Sequence, residues 1–189
     1  MKKLISVLAL VMLLSPLSAA AFSYLGFSLG GTMKNSSFTL GVTSTAMFTG
    51  DVNRNFGIGL STHFDGAMMF SDEKRLPGQF AVIVGPGFEF RPTEYSSINL
   101  TIGPAVMLED YDSFSVGAGI DASYTWYFSM DKEIGVTFGT TLYPQFYVDD
   151  SSRNTPFSFA GSAYIGISWR RITYSWDPLG YAPLGFVIY

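Results

Sequence analysis

The sequence predicts an all-β chain, an antiparallel up-and-down transmembrane β-barrel of eight strands, preceded by a cleaved leader. Three observations lead there. Apolar residues recur at every second position from Phe38 onward, which is the period of a strand. The alternate positions hold mostly Gly, Ser, Thr and Ala, where a water-facing strand carries Lys, Glu and Arg. Charged residues make up only 14% of the chain, against about 25% in soluble domains, and most of them fall between the alternating segments.

The leader comes first. Lys2 and Lys3 precede an apolar run from Leu4 to Leu14, and small residues end it at Ala19, Ala20 and Ala21. This is the layout of a secretory signal peptide cleaved after Ala21, so the predicted organisation is a signal peptide over 1–21 and a barrel over 22–189. The apolar run is shorter than the roughly 20 residues that a spanning helix needs. No later stretch is long and apolar enough to replace it.

The strands follow in order. Residues 22–31 alternate weakly. Segment 37–48 sets Phe38, Leu40, Val42, Ala46 and Phe48 against Thr39, Gly41, Thr43 and Thr45. Segment 56–70 is the cleanest, with Phe56, Ile58, Leu60, Phe64, Met68 and Phe70 on one face and Gly57, Gly59, Ser61, His63 and Asp65 on the other. Segments 79–90, 97–109, 114–128, 133–148 and 157–169 repeat the pattern. Polar, turn-forming stretches separate them, among them 50–55, 71–78, 91–96 and 149–156. After Arg170 the alternation shifts frame, and Asp177, Pro178, Leu179 and Gly180 read as a turn. A ten-strand barrel that uses residues 172–176 and 185–189 as a further hairpin is therefore the alternative.

Alternating strands suit either a soluble barrel with its apolar face inside or a membrane barrel with that face outside. The second face, poor in charge and rich in small residues, fits the inside of a narrow barrel. Aromatics gather near the segment ends in two girdles: Phe38, Phe48, Phe56, Phe70, Phe80, Phe90, Phe114, Trp126, Phe128, Phe157 and Trp169. Ten residues at about 3.3 Å each, tilted about 40°, span roughly 25 Å, the height of an outer-membrane barrel's apolar band. Tyr189 and Val187 end the chain with an aromatic residue preceded by an alternate apolar one.

On these features the chain resembles the small eight-stranded outer-membrane proteins of the OmpA transmembrane domain, OmpX and OmpW group. The resemblance covers nearly the whole mature chain and implies an outer-membrane location. It also implies Val187 and Tyr189 as an assembly signal read by the outer-membrane assembly machinery, with Tyr in place of the usual terminal Phe. Partners are then that machinery and outer-membrane lipids, and the protein is expected to be a monomer.

Several functions are disfavoured. The chain has no Cys and one His, so thiolate chemistry and His-rich metal sites are not expected, nor is a cofactor. A formal charge of −4 without a basic patch argues against nucleic acid. The lumen face carries Ser61, His63, Asp65, Glu89, Glu109, Asp121, Gln145 and Arg170, read as a polar network centred on His63, Asp65 and Asp121. Ser61, His63 and Asp65 share a face at two-residue spacing, about 6.6 Å between neighbours, which is long for a catalytic relay. Tyr127, Tyr143, Tyr147 and Tyr164 read as space-filling rings. The expected role is structural or interactive, with a lumen mostly filled by side chains. The alternatives are a narrow channel or carrier for small solutes and a lipid-modifying enzyme. Deacylases of small outer-membrane barrels use a His-x-Ser order, whereas Ser61 precedes His63 here. The leader makes a direct prediction: mass spectrometry of the protein extracted from membranes finds Phe22 as the first residue.

Overall fold

The computed structural model describes residues 22–32, 37–70, 78–109, 113–129, 133–148 and 157–170. They form eight strands: β1 (Phe22–Thr32), β2 (Ser37–Asn53), β3 (Phe56–Phe70), β4 (Gly78–Thr93), β5 (Ser96–Glu109), β6 (Ser113–Tyr127), β7 (Ile134–Tyr147) and β8 (Phe157–Arg170). Each strand pairs antiparallel with the next, and β1 pairs with β8 from Phe22↔Arg170 to Thr32↔Ala160. The sheet therefore closes and leaves no edge for a further hairpin, which decides for eight strands over ten. The leader 1–21 and the C-terminal pair Val187 and Tyr189 lie outside the described residues.

Two strands outrun their alternation. β2 continues to Asn53 and β4 to Thr93, so the turns expected over 50–55 and 91–96 shrink to Arg54-Asn55 and Glu94-Tyr95. The reason is a register shift between Asp51 and Asn53 and another between Phe90 and Thr93. Each bulge takes up an extra residue and lets pairing persist where the apolar pattern has stopped. Side chains close the turns: the Asn55 N–H donates to Asn53 Oδ1 at 2.8 Å, and the Tyr95 N–H donates to the Thr93 hydroxyl at 3.2 Å. These turns, Phe22 and Arg170 share one end of the barrel, here the turn end. The connections 33–36, 71–77, 110–112 and 149–156 mark the loop end.

The outer face is apolar. Phe27, Leu60, Met68, Phe138 and Ile167 are each more than half exposed, and no charged residue holds an outward position on the described strands. A soluble monomer rarely exposes an apolar patch of more than a few hundred Å², so this surface is made for hydrocarbon. Phe48, Phe56, Phe90, Trp126, Phe128 and Trp169 ring the turn end, while Phe38, Phe80, Phe114 and Phe157 ring the loop end. Phe70 pairs with Phe38 along the backbone, and its side chain lies outside the described residues.

The inner face is packed rather than open. One cluster joins Ala81, Ile83, Ala105, Met107, Tyr143 and Ala160, and a second joins Phe22, Tyr24, Met47, Tyr127 and Tyr164 towards the turn end. Inward glycines admit the large side chains: a Cβ at Gly139 would lie 2.2 Å from the Tyr164 ring, and one at Gly119 would lie 2.4 Å from Ile83 Cγ1. Eight strands enclose about the width that side chains can fill. Replacing mid-strand Ile102, which faces outward, by Arg is expected to lower stability in vesicles by about 2–4 kcal/mol. Urea titration of the reconstituted barrel measures it.

Candidate functional site

The centre of the lumen is built from polar side chains of six strands. β3 carries His63 and Asp65 two residues apart, so the pleat directs both inward, and both are buried. β6 supplies Asp121 from across the barrel. The His63 ring lies between the two carboxylates, with Nε2 3.1 Å from Asp65 Oδ2 and Nδ1 3.4 Å from Asp121 Oδ2. From β2, the Thr45 hydroxyl is 2.7 Å from Nδ1 and the Thr43 hydroxyl 3.3 Å from Nε2.

Tyrosines complete the shell. Tyr143 donates to Asp65 Oδ2 at 2.5 Å and Tyr164 to Asp121 Oδ1 at 2.6 Å. The Tyr24 hydroxyl lies 3.0 Å from His63 Nδ1 and 3.2 Å from Asp121 Oδ1, and its ring stacks on Tyr164 with centroids 4.9 Å apart. Thr141 adds a hydroxyl donor to Asp65 Oδ2 at 3.1 Å and bonds Ser162 at 2.6 Å. Tyr143 and Tyr164 are thus also hydrogen-bond donors to buried carboxylates, a role beyond the space-filling one. The rings do fill the lumen, but the carboxylates need donors and the hydroxyls supply them.

A second cluster sits at the turn end. Buried Glu89 on β4 has Arg170 Nε at 3.6 Å and Arg91 Nε at 3.9 Å, and its Oε2 accepts from the Thr49 hydroxyl at 3.4 Å. Arg91 is also paired with Asp51. Arg170 reaches in from β8 and lies over the Tyr127 ring, 5.4 Å from its centroid. A cavity of ≈ 430 Å³ opens beside these groups, lined by Arg54, Arg91, Glu94 and Arg170 among others.

The remaining residues divide. Ser61 faces the lumen but pairs its hydroxyl with Thr101 at 2.8 Å, so Ser61, His63 and Asp65 form no relay. Gln145 is fully buried and donates to the Ala118 carbonyl at 3.2 Å. Glu109 pairs with Gln79 along the backbone, and its side chain lies outside the described residues, as does that of Tyr147. The sequence reading gave Tyr24, Thr43, Thr45 and Thr141 no part in the network. A signal existed for the threonines, which alternate with apolar residues on their strands. Tyr24 offered none, because Phe22 shares its inward face and erases the polar contrast.

Comparison with known proteins bears on the fold. No protein-family model and no curated protein matches the chain. Among solved structures it is similar to the attachment invasion locus protein Ail of Yersinia pestis, at 12% identity and a TM-score of 0.50, over 80% of this chain and 99% of that one. It is also similar to Neisserial surface protein A, at 7% identity and a TM-score of 0.51, over 79% of this chain and 95% of that one. At such identities the likeness is one of fold, the eight-stranded outer-membrane β-barrel.

The network predicts unequal mutational costs. His63→Ala leaves two buried carboxylates without the ring that lies between them, and a loss of about 3–5 kcal/mol is expected. Ser61→Ala removes one neutral hydroxyl pair and is expected to cost about 1 kcal/mol. Urea unfolding in micelles, followed by the gel mobility of folded and unfolded forms, separates the two.

Proposed function

We propose that the chain is an integral outer-membrane barrel with a structural or interaction role, monomeric and non-enzymatic, whose lumen is held closed. The observation that carries this reading is the His63, Asp65 and Asp121 network, which ties β1, β2 and β3 to β6, β7 and β8 across the middle of the barrel. Among the described residues, apolar clusters that include inward Tyr and Met side chains flank it. The two-residue turns 54–55 and 94–95 suit the periplasmic side, where such barrels keep their connections short, and the loop end then faces outward. Outer-membrane lipids and the assembly machinery are the partners this reading calls for.

Two other roles meet obstacles. A narrow channel or carrier needs a path through the ion-paired centre. A lipid-modifying enzyme needs an activated hydroxyl near lipid, whereas the Ser61 hydroxyl bonds Thr101 inside the lumen and His63 is committed to two carboxylates.

The test joins electrophysiology and lipid analysis. In planar bilayers the folded protein is expected to give no unitary current, and a deletion strain is expected to keep the lipid A composition of its parent. A current abolished by Asp121→Leu would establish the channel instead, and an altered acyl pattern the enzyme.

A further inference from the structure

Three arginines meet at the turn end although they come from distant parts of the chain. Arg54 lies in the β2–β3 turn, Arg91 near the end of β4 and Arg170 at the end of β8. Closure of the barrel makes them neighbours. Arg91 Nε and Arg170 Nε approach the two oxygens of one carboxylate, Glu89, at 3.9 and 3.6 Å, which brings both heads to one small group. Both distances exceed a hydrogen bond, so Glu89 holds the pair by charge and leaves their donors over. The buried Arg91 Nε has no hydrogen-bond partner. Arg54 completes the set from the water side, where its side chain is 85% exposed and donates to Glu94 at 3.1 Å.

All three arginines line the same cavity of ≈ 430 Å³, together with Glu94 and neutral residues. With Asp51 and Glu89 included, the cluster is balanced in charge. Those two carboxylates hold Arg91 and Arg170 but do not line the cavity, so its wall sets three guanidiniums against the single carboxylate of Glu94. The heads are also ordered in advance. The Arg91 and Arg170 side chains are only 12% and 13% exposed, and Arg170 is seated on the Tyr127 ring, 5.4 Å from its centroid. Such order removes part of the entropy cost of capturing a ligand. Guanidinium forks match phosphate and carboxylate oxygens. Heads brought in by a turn, β4 and β8 approach from different sides, and a tetrahedral phosphate offers them acceptor oxygens out of one plane, where a carboxylate offers two within it.

We propose that the turn-end cavity is a binding site for a phosphate group, held by Arg54, Arg91 and Arg170. Arg91 and Arg170 supply the fixed donors. Arg54 turns from Glu94 to the ligand at little cost, since an exposed ion pair contributes little. The phosphate belongs to a soluble phosphorylated compound or to a lipid headgroup, because the aromatic belt of Phe48, Phe56, Phe90 and Trp169 sets this end at the level of the membrane surface.

The test is thermal unfolding of the full chain in maltoside micelles at neutral pH and constant ionic strength. Sodium chloride, acetate and inorganic phosphate are compared, and in a second series phosphatidylglycerol is compared with diacylglycerol, which lacks the phosphate. A higher melting temperature in inorganic phosphate than in chloride or acetate is expected and assigns a soluble ligand. A rise with phosphatidylglycerol over diacylglycerol, with none from inorganic phosphate, assigns a headgroup. Arg54→Gln alters an exposed turn residue, and Arg170→Lys keeps a charge beside Glu89 but loses the fork. Each is expected to raise the half-saturating concentration about tenfold. Equal melting in the three salts without a lipid effect overturns the proposal. So does an equal response to acetate and phosphate, or a phosphate or lipid response that is unchanged in Arg54→Gln and in the double variant with Arg170→Lys.

Discussion

Hydrocarbon offers a peptide N–H nothing to bond to, and the architecture of this chain follows from that constraint. Strands meet it only when every backbone group has a partner, which requires that the first and last strands pair. β1 and β8 do so along the whole of β1. Once the sheet is closed, the pleat sends alternate side chains to lipid and to lumen, and the usual polarity of a β-barrel is inverted. The outer positions carry Val, Leu, Ile and Phe. The inner ones are limited by the narrow bore, which explains the many glycines, alanines and hydroxyl residues there.

Inside that bore, polar groups face the opposite difficulty: they are removed from water without being given to lipid. Burying an ion costs several kcal/mol, and the cost is recovered only when each charge finds both a counter-charge and hydrogen bonds. His63 serves two carboxylates at once, and each carboxylate also takes a tyrosine hydroxyl. Tyrosine suits this place better than phenylalanine because one residue supplies both the ring that fills the lumen and the donor that satisfies the anion. β4 and β5 contribute little to the network. Their inward residues Gly85, Gly87, Gly103 and Ala105 give the room into which the side chains of the other strands project.

How far the sequence reveals this structure depends on the range of the interaction. The alternation of β3 is a property of neighbours along one strand, so it can be read directly, and the aromatic belts follow from the same pattern. The ends of β2 and β4 cannot be read in this way, since a bulge changes the phase of the pattern while pairing continues. Alternation is enough to read His63, Asp65 and Asp121 as one lumenal network, but the contact between His63 and Asp121 is harder to read. It depends on strand tilt and on which inward positions meet across the lumen, and neither is written in any single segment. Alternation selects the residues that face inward but does not say which of them touch. Tyr24 shows the limit, because an inward aromatic next to another looks the same as one on a lipid face.

The closing pair of strands also carries a kinetic consequence. Tyr24 on β1 meets Asp121, 97 residues away in the chain, and stacks on Tyr164 of β8. The contacts that complete the shell of the centre therefore include some of the most distant pairings, which have the greatest loop-closure entropy to overcome. A partly assembled sheet holds His63, Asp65 and Asp121 without their full shell and keeps two open edges in a medium that satisfies neither. Intermediate sheets are penalised twice, and a concerted insertion with the meeting of the chain's first and last strands as its slow step is the expected consequence.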